Sequence, residues 1–333
     1  MNKKSYGQFY TTNAEYILQG LVLPEGTTYI EPFVGKGDLL PFFPAGAKIE
    51  CYDIEPKIEC EQRDIFADPP DFAGKIVLTN PPYLARNKNP DKTTYEKYKS
   101  NDLYKCFVKM IGKCAGGILI LPVNFFSSIR ASDVEMRSNF MREFLIHRVN
   151  VFEEEVFEDT STSTCAFSFE RRAEAADAQV ILMHFFPQKY KHAFELSVDN
   201  GYIIGGHIYK LPQSEITIGR YTSTEQTPSV IAVNCIDSQK AICAFEVREG
   251  ESFIDDTPNN TNRTYMQLVF NGVISIPFQR RLIIEFNDFL NIQREKYNSM
   301  FLTNYRESKN GKMRKRISFN LIFIIFSYLL QKI

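Results

Sequence analysis

Short apolar runs alternate with helically periodic stretches through the first half of the chain. Runs at Thr28–Ile30, Lys48–Tyr52, Ile76–Leu78, Gly117–Leu121, His147–Phe152 and Ala166–Glu170 predict strands. Periodicity near Ala14–Leu21, Tyr104–Lys113 and Val134–Phe144 predicts helices between them. Strand–helix alternation with short connections implies a parallel sheet covered on both faces, so the expected fold class is α/β, doubly wound and mostly parallel. One connection is long: Leu84 to Asn101 is polar and holds Arg86, Lys88, Lys92, Lys97 and Lys99, which predicts a mobile loop.

After Arg171-Arg172-Ala173-Glu174-Ala175-Ala176 the texture changes. β-rich runs at Val180–Phe185, Ile216–Ile218, Ser229–Val233 and Tyr265–Phe270 are separated by Gly, Pro, Asn and Thr. Helical patterns follow at Arg281–Tyr297 and Ile317–Leu330. The 333 residues suffice for two domains with separate cores, expected at 1–171 and 172–333, the second smaller, β-rich to mixed, and closed by a C-terminal helix. The last apolar segment is too short to span a bilayer and contains Ser318, Asn320 and Ser327; a buried helix is expected, and no membrane partner.

Lys and Arg total 39 against 40 Asp and Glu, a net charge of −1, so no overall positive field draws in nucleic acid. Basic residues would have to gather locally, as at Arg306, Lys309, Lys312, Arg314, Lys315 and Arg316, which reads equally as a solvated run before a helix. The 7 cysteines form no CxxC pair and have no nearby His spacing, which argues against a metal site or a disulfide framework and for a reducing compartment. Met1 leads into Asn2-Lys3-Lys4-Ser5-Tyr6 rather than a secretory leader, so a cytoplasmic location is expected.

The candidate chemistry lies at strand ends. Asn80-Pro81-Pro82-Tyr83 follows the run Ile76–Thr79. Its prolines fix φ and remove donors, so the turn offers carbonyl oxygens and an Asn oxygen beside an aromatic ring. That suits a planar substrate bearing an NH2 group. Glu31-Pro32-Phe33-Val34-Gly35-Lys36-Gly37 is a glycine turn that lets backbone approach a ligand. With a carboxylate at the strand end and two glycines, it suits a cationic ligand better than pyrophosphate. In Cys51-Tyr52-Asp53-Ile54-Glu55-Pro56, a carboxylate at the end of the second strand can accept both hydroxyls of a ribose.

In this order the motifs resemble those of the N6-adenine DNA methyltransferases that place the cofactor half before the target-recognition half; the resemblance covers roughly residues 5–170. It implies a Rossmann-like methyltransferase sheet and S-adenosyl-L-methionine as cofactor. Glu31, attractive to its ammonium and sulfonium, would contact it together with Phe33, Gly35 and Gly37, and Asp53 would hold its ribose, with Glu55 as runner-up and Ile54 alongside. Gln62-Arg63-Asp64-Ile65-Phe66 resembles the family's third motif, so Asp64 would accept from the cofactor's adenine while Ile65 or Phe66 covers the ring. Gly7-Gln8-Phe9-Tyr10-Thr11-Thr12-Asn13 resembles the tenth motif, bringing Tyr10 and Thr11 to the cofactor, although the family often has Thr-Pro where Thr11-Thr12 stands. The same segment reads as a helix cap by Thr12 or Asn13. Asp102-Leu103-Tyr104 and Phe107 resemble the fifth motif.

The resemblance assigns catalysis to Asn80 and Pro81, whose oxygens would accept the two hydrogens of the adenine N6 amine. Tyr83 would stack on one face of a flipped base. Phe157, in a segment (Glu155 to Thr160) resembling the eighth motif, would stack on the other, or else sit in the core. Asn80 would also border the cofactor. Double-stranded DNA and a separate restriction endonuclease acting at the same site are the implied partners. The same turn occurs in methylases of RNA bases and of protein glutamine, and the chemistry does not separate them. Glutamine enzymes resemble a helical domain placed before the catalytic one, whereas here the tenth motif starts close to Met1. A non-catalytic module would show decay in one of the two turns, and both are intact. Arg220, Asn262, Arg263 and Gln267 are chemically able to contact bases, but the sequence does not place them in a groove.

Overall fold

The computed structural model describes residues 7, 9–157, 162–237, 258, 261–306 and 313–332. The expectations for Glu158 to Thr160, Lys309 and Lys312, and for the side chains of Arg306 and Arg314, lie outside the described residues. The chain divides into two compact units, Met1–Ile204 and Gly205–Ile333.

In the first unit the elements follow one another as α1 (Ala14–Leu18), β1 (Thr28–Glu31), β2 (Lys48–Asp53), β3 (Glu61–Gln62), β4 (Ile76–Thr79), α2 (Thr93–Lys97), α3 (Leu103–Met110), β5 (Gly116–Pro122), α4 (Asn124–Ser127), α5 (Ala131–Glu143), β6 (Phe144–Phe152), β7 (Thr164–Arg171), β8 (Ala178–Phe186) and β9 (Tyr190–Ser197). They form a 9-stranded sheet in the order β3-β2-β1-β4-β5-β7-β6-β8-β9. The pairs from β3 through β5 are parallel, and β7 runs antiparallel between β5 and β6. This is the doubly wound, Rossmann-like sheet expected. Every residue of β4 and β5 is buried, as continuous apolar runs in parallel strands require.

The expected division at 171/172 falls too early. In β8 the residues Gln179, Ile181, Met183 and Phe185 alternate inward, and the strand pairs in parallel with β6 while β9 pairs with β8. Residues after Arg172 thus extend the first sheet before the second unit begins.

The segment after Tyr83 also departs from expectation. Residues 84–101 contain α2 and close on themselves: Arg86 N–H donates to Asn101 O at 2.9 Å, and Ala85 bridges Asp102. Leu84, Tyr95, Leu103 and Cys106 form a small core beneath them. The polar composition reflects an exposed outer face, while Tyr95 is buried beneath it.

The second unit holds β10 (Ile218–Arg220), β11 (Pro228–Asn234), β12 (Ile236–Asp237), β13 (Tyr265–Phe270), α6 (Ile276–Tyr297), β14 (Thr303–Arg306), β15 (Met313–Arg316) and α7 (Phe319–Lys332). Its two 3-stranded sheets run β10-β13-β11 and β12-β15-β14. Ser275 caps α6 by accepting from Phe278 N–H, Pro277 fits the first turn, and Asn298 at φ 46° ends the helix. Phe286 of α6 stacks on Phe326 of α7 with ring centroids 4.3 Å apart, inside a core shared with β11 and β13. Among the described residues no helix is long and apolar enough to cross a membrane. Gln267 is buried and donates to Ser229 O, so its amide serves the fold.

Candidate functional site

β1 and β4 are neighbours, yet the chain leaves them in opposite senses: β2 and β3 lie on one side, β5 on the other. Strand-end crevices open at such a reversal, and ligands of doubly wound sheets bind there. A cavity of about 410 Å³ lies at that point. Asp53, Ile54, Asp64, Ile65 and Asn80 face it, together with Tyr10, Phe33 and Gly35 from the segments expected to hold a cofactor.

Glu31 ends β1 with 1% of its surface exposed. Its Oε1 accepts from Thr79 Oγ1 at 2.6 Å and from Phe33 N–H at 3.1 Å, whereas Oε2 is buried with no partner among the described residues. Burial pushes its carboxyl up to about 8; the two hydrogen bonds oppose that rise, and the nearby Asp53 charge adds to it. A carboxyl raised that far is held mostly neutral at neutral pH, with Oε2 unpartnered. Glu31 lies behind the residues that line the cavity rather than among them.

The glycine turn follows. Gly35 has φ +57°, and a Cβ added there would stand 3.1 Å from the Tyr10 ring. Gly35 N–H donates to Asp53 Oδ2 and Glu55 N–H to Asp53 Oδ1, each at 2.8 Å. Asp53 therefore ties the turn to the end of β2. A carboxylate has about four acceptor positions, so two bonds leave capacity toward the cavity. Glu55, the alternative, supplies its backbone to Asp53 and does not face the cavity. Gly37, at φ +83°, shapes the turn without lining the cavity.

Asp64 accepts from Phe66 and Ala67 N–H groups, which turns Ile65 and Phe66 into the wall. Phe66 lies 5.6 Å from Phe33, ring to ring, so the two form one apolar surface at the cavity. Arg63 also faces the cavity while its guanidinium stacks on Tyr52 and pairs with Glu61 and Asp68.

At the end of β4 the Asn80 amide is held on both ends. Its Nδ2 donates to Phe9 O at 2.9 Å and to Thr11 Oγ1 at 3.2 Å, and its Oδ1 accepts from the Tyr83 hydroxyl at 2.7 Å. The same hydroxyl lies 2.9 Å from Ile120 O, so one hydrogen is shared between two acceptors. Burial pushes the Tyr83 phenol well above its ordinary value, which keeps it a donor. Tyr83 N–H donates to Gly7 O, so residues 7–11 run along the turn: Thr11 is buried against Asn80, and Tyr10 lies against Gly35.

The aromatic pair is arranged otherwise than expected. Tyr83 and Phe157 lie 6.5 Å apart at 70°, with Phe9 touching both rings. A base between two rings needs them nearly parallel, with room on each side. Phe157 is 3% exposed in the apolar core, and neither it nor Tyr83 lines the cavity. Phe9 and Pro82 do. Phe157 is thus the core aromatic that the sequence also allowed. Pro81 is buried beside Asn80.

Of the fifth-motif residues, Leu103 lines the cavity and Phe107 packs against Phe33. Asp102 is half-buried, and burial pushes its carboxyl up to about 6 against the pull of Lys105. Sequence reasoning missed Phe9, Leu84 and the wall at Asn89, Pro90, Asp91 and Thr94. Only the position of that wall just after the Asn80 turn hinted at it. Among the described residues no group of three or more His, Cys, Asp or Glu is placed to hold a metal ion.

No protein-family model matches the chain. The search of curated proteins returns no match. Among solved structures the chain is similar to the type IIG restriction endonuclease BpuSI, at 14% identity over 66% of this chain and 36% of that one, with a TM-score of 0.40. It is similar to the methyltransferase subunit of a type I restriction-modification system from Streptococcus thermophilus, at 14% identity over 53% of this chain and 47% of that one, TM-score 0.38. It is also similar to the 23S rRNA methyltransferase ErmE, at 13% identity over 50% of this chain and 70% of that one, TM-score 0.35. The chain spans about half or less of the length of the restriction-modification proteins it matches. These are partial likenesses; the fold rests on the strand order and register described above.

Proposed function

We propose that this chain is a methyltransferase that moves the methyl group of S-adenosyl-L-methionine to an exocyclic amine, the N6 of adenine in duplex DNA. The observation that carries the reading is the orientation of Asn80. Nδ2 is held by Phe9 O and Thr11 Oγ1 and Oδ1 by the Tyr83 hydroxyl, so the amide is fixed in place where it borders the cavity. Tyr83 occupies one lone pair of that oxygen and a second remains. Such an acceptor suits a substrate NH2.

The chemistry follows from the amine. Its lone pair is delocalised into the ring, and attack on a methyl group requires a more tetrahedral nitrogen that gains positive charge. Asn80 Oδ1 and the Pro81 carbonyl, each accepting one hydrogen, favour that geometry and spread the charge. Holding the amine in line with the methyl group contributes through orientation. The proton leaves to water afterwards.

The cofactor fits the groups present. The empty, buried Oε2 of Glu31 suits an ammonium group. Asp53 keeps acceptor capacity for ribose, and Ile54, Ile65 and Phe66 offer apolar walls to a flat ring with Asp64 at its edge. When bound, the cofactor supplies an activated methyl on sulfur.

DNA is placed first on the order of motifs and on the second unit, which we assign to target recognition; a restriction endonuclease acting at the same site is the partner the resemblance implies. A base in a duplex must be extruded at a cost of a few kcal/mol, which stacking offsets by about 1–3 kcal/mol. Phe9 and Pro82 are the surfaces beside Asn80 that could receive it, and Tyr83 works through Asn80. The test is transfer of labelled methyl to duplex DNA, with RNA and a release factor as parallel acceptors and mass spectrometry of the products. N6-methyladenine in DNA is expected. Label found only in RNA or protein would overturn the DNA assignment, and no transfer to any acceptor would overturn the reading.

A further inference from the structure

The turn after Leu84 is a built object. Tyr95, at 1% exposure, donates its hydroxyl hydrogen to Leu84 O at 3.0 Å and accepts from Asn89 Nδ2 at 3.2 Å. Asn89 Oδ1 accepts from Asp91 N–H, and Asp91 Oδ1 from both Thr93 N–H and Thr93 Oγ1. Lys92 Nζ donates to the carbonyls of Arg86 and Asn89. Several polar side chains therefore tie the turn to itself. Its two ends are anchored on Leu84 and Leu103, and both line the cavity.

The inner face of the turn, at Asn89, Pro90, Asp91 and Thr94, bounds the same cavity as Asp64 and Ile65. Asn89 and Asp91 Oδ1 are engaged within the turn, so these groups hold the wall's shape. A wall so held, facing an apolar surface, encloses a flat ligand and slows its escape. Resting on the cofactor reading above, we propose that residues 89–94 form the outer wall for the nucleoside end of the cofactor, and that Tyr95 is the positioning residue that holds the wall in place. The segment that the sequence presents as a mobile, cation-rich loop thus acts on cofactor retention through its inner face.

The experiment compares the full-length wild type with Tyr95→Phe and Asn89→Ala. It follows release of S-adenosyl-L-methionine and of 5′-methylthioadenosine, which lacks the amino-acid end, by stopped flow and calorimetry. DNA affinity without cofactor is measured in parallel. Loss of one buried hydrogen bond at the pin should speed release of both ligands by about three- to tenfold and raise KM for the cofactor in proportion. DNA affinity should stay level, a split that general loosening of the fold would not give. Should Tyr95→Phe fold poorly, Asn89→Ala, which cuts the same link from a half-buried position, carries the test. Wild-type release rates in the folded variants would overturn the wall, as would a loss confined to DNA affinity. A wild type that binds neither ligand would instead sink the cofactor reading, and this proposal with it.

Discussion

The two strand ends that meet at the sheet reversal solve opposite problems. At the end of β4, Asn80 has both ends of its amide engaged, so its direction is set before any ligand arrives. At the end of β1, Glu31 keeps one buried oxygen empty and its carboxyl is pushed up to about 8. A satisfied polar group costs little and positions chemistry; an unsatisfied one stores a cost that a matching ligand can relieve. Under the function proposed above, the β1 corner binds and the β4 corner reacts.

The sharpest way to break that division is Asn80→Ala. In the labelled-transfer assay the rate should fall by about 10²–10³, the usual loss for a preorganised group at developing charge. Cofactor affinity, measured by calorimetry, should change much less. Equal losses in both would erase the distinction between the corners.

Glu31→Gln should act the other way, weakening S-adenosyl-L-methionine by about tenfold or more through loss of a buried charge partner. It should also change stability with pH. The carboxyl is raised from 4.5 to about 8 in the fold, so the protonated form is the one folding favours. Its contribution is full below pH 4.5 and is lost as pH rises through about 8. The ligand-free wild type should lose up to a few kcal/mol of stability between pH 5 and 9 that Glu31→Gln keeps, as read from denaturant midpoints. Parallel pH profiles for the two proteins would show that Oε2 is not the cost described.

Tyr83→Phe removes the hydrogen shared by Asn80 and Ile120 O. The Nδ2 bonds remain, so kcat should fall by only about three- to tenfold with little change in cofactor KM. A loss as large as that of Asn80→Ala would move Tyr83 from orienting to direct contact. Gly35→Ala acts on the fold rather than on the chemistry, since φ +57° and the Tyr10 ring at 3.1 Å oppose a Cβ. About 1–2 kcal/mol of stability should be lost, visible as a lower Tm.

Much of the site was legible because it sits on strand ends. Glu31, Asp53 and Asn80 each follow an apolar run, and a parallel sheet brings such ends to one edge. The roles of aromatic residues were less legible. Phe157 and Phe9 are the same residue type in polar surroundings along the chain, yet one is in the core and the other faces the cavity. Nothing local distinguishes them, since what decides is which ring the neighbouring segment covers. The 84–101 turn was misread for a related reason: its polar residues bond to one another, and composition does not show pairing.

By itself the sequence determined the alternation of strands and helices, the buried character of the central strands and the short turns that end them. Those are local properties, set by apolar periodicity, by proline and by glycines at positive φ. Tertiary structure alone decided that β8 and β9 extend the first sheet, that both ends of the Asn80 amide are bonded, that Glu31 keeps an unpartnered oxygen and that Tyr95 bonds to Leu84 and Asn89. Each of these depends on a partner distant in the chain, and pairing between distant residues is a property of the fold rather than of any segment.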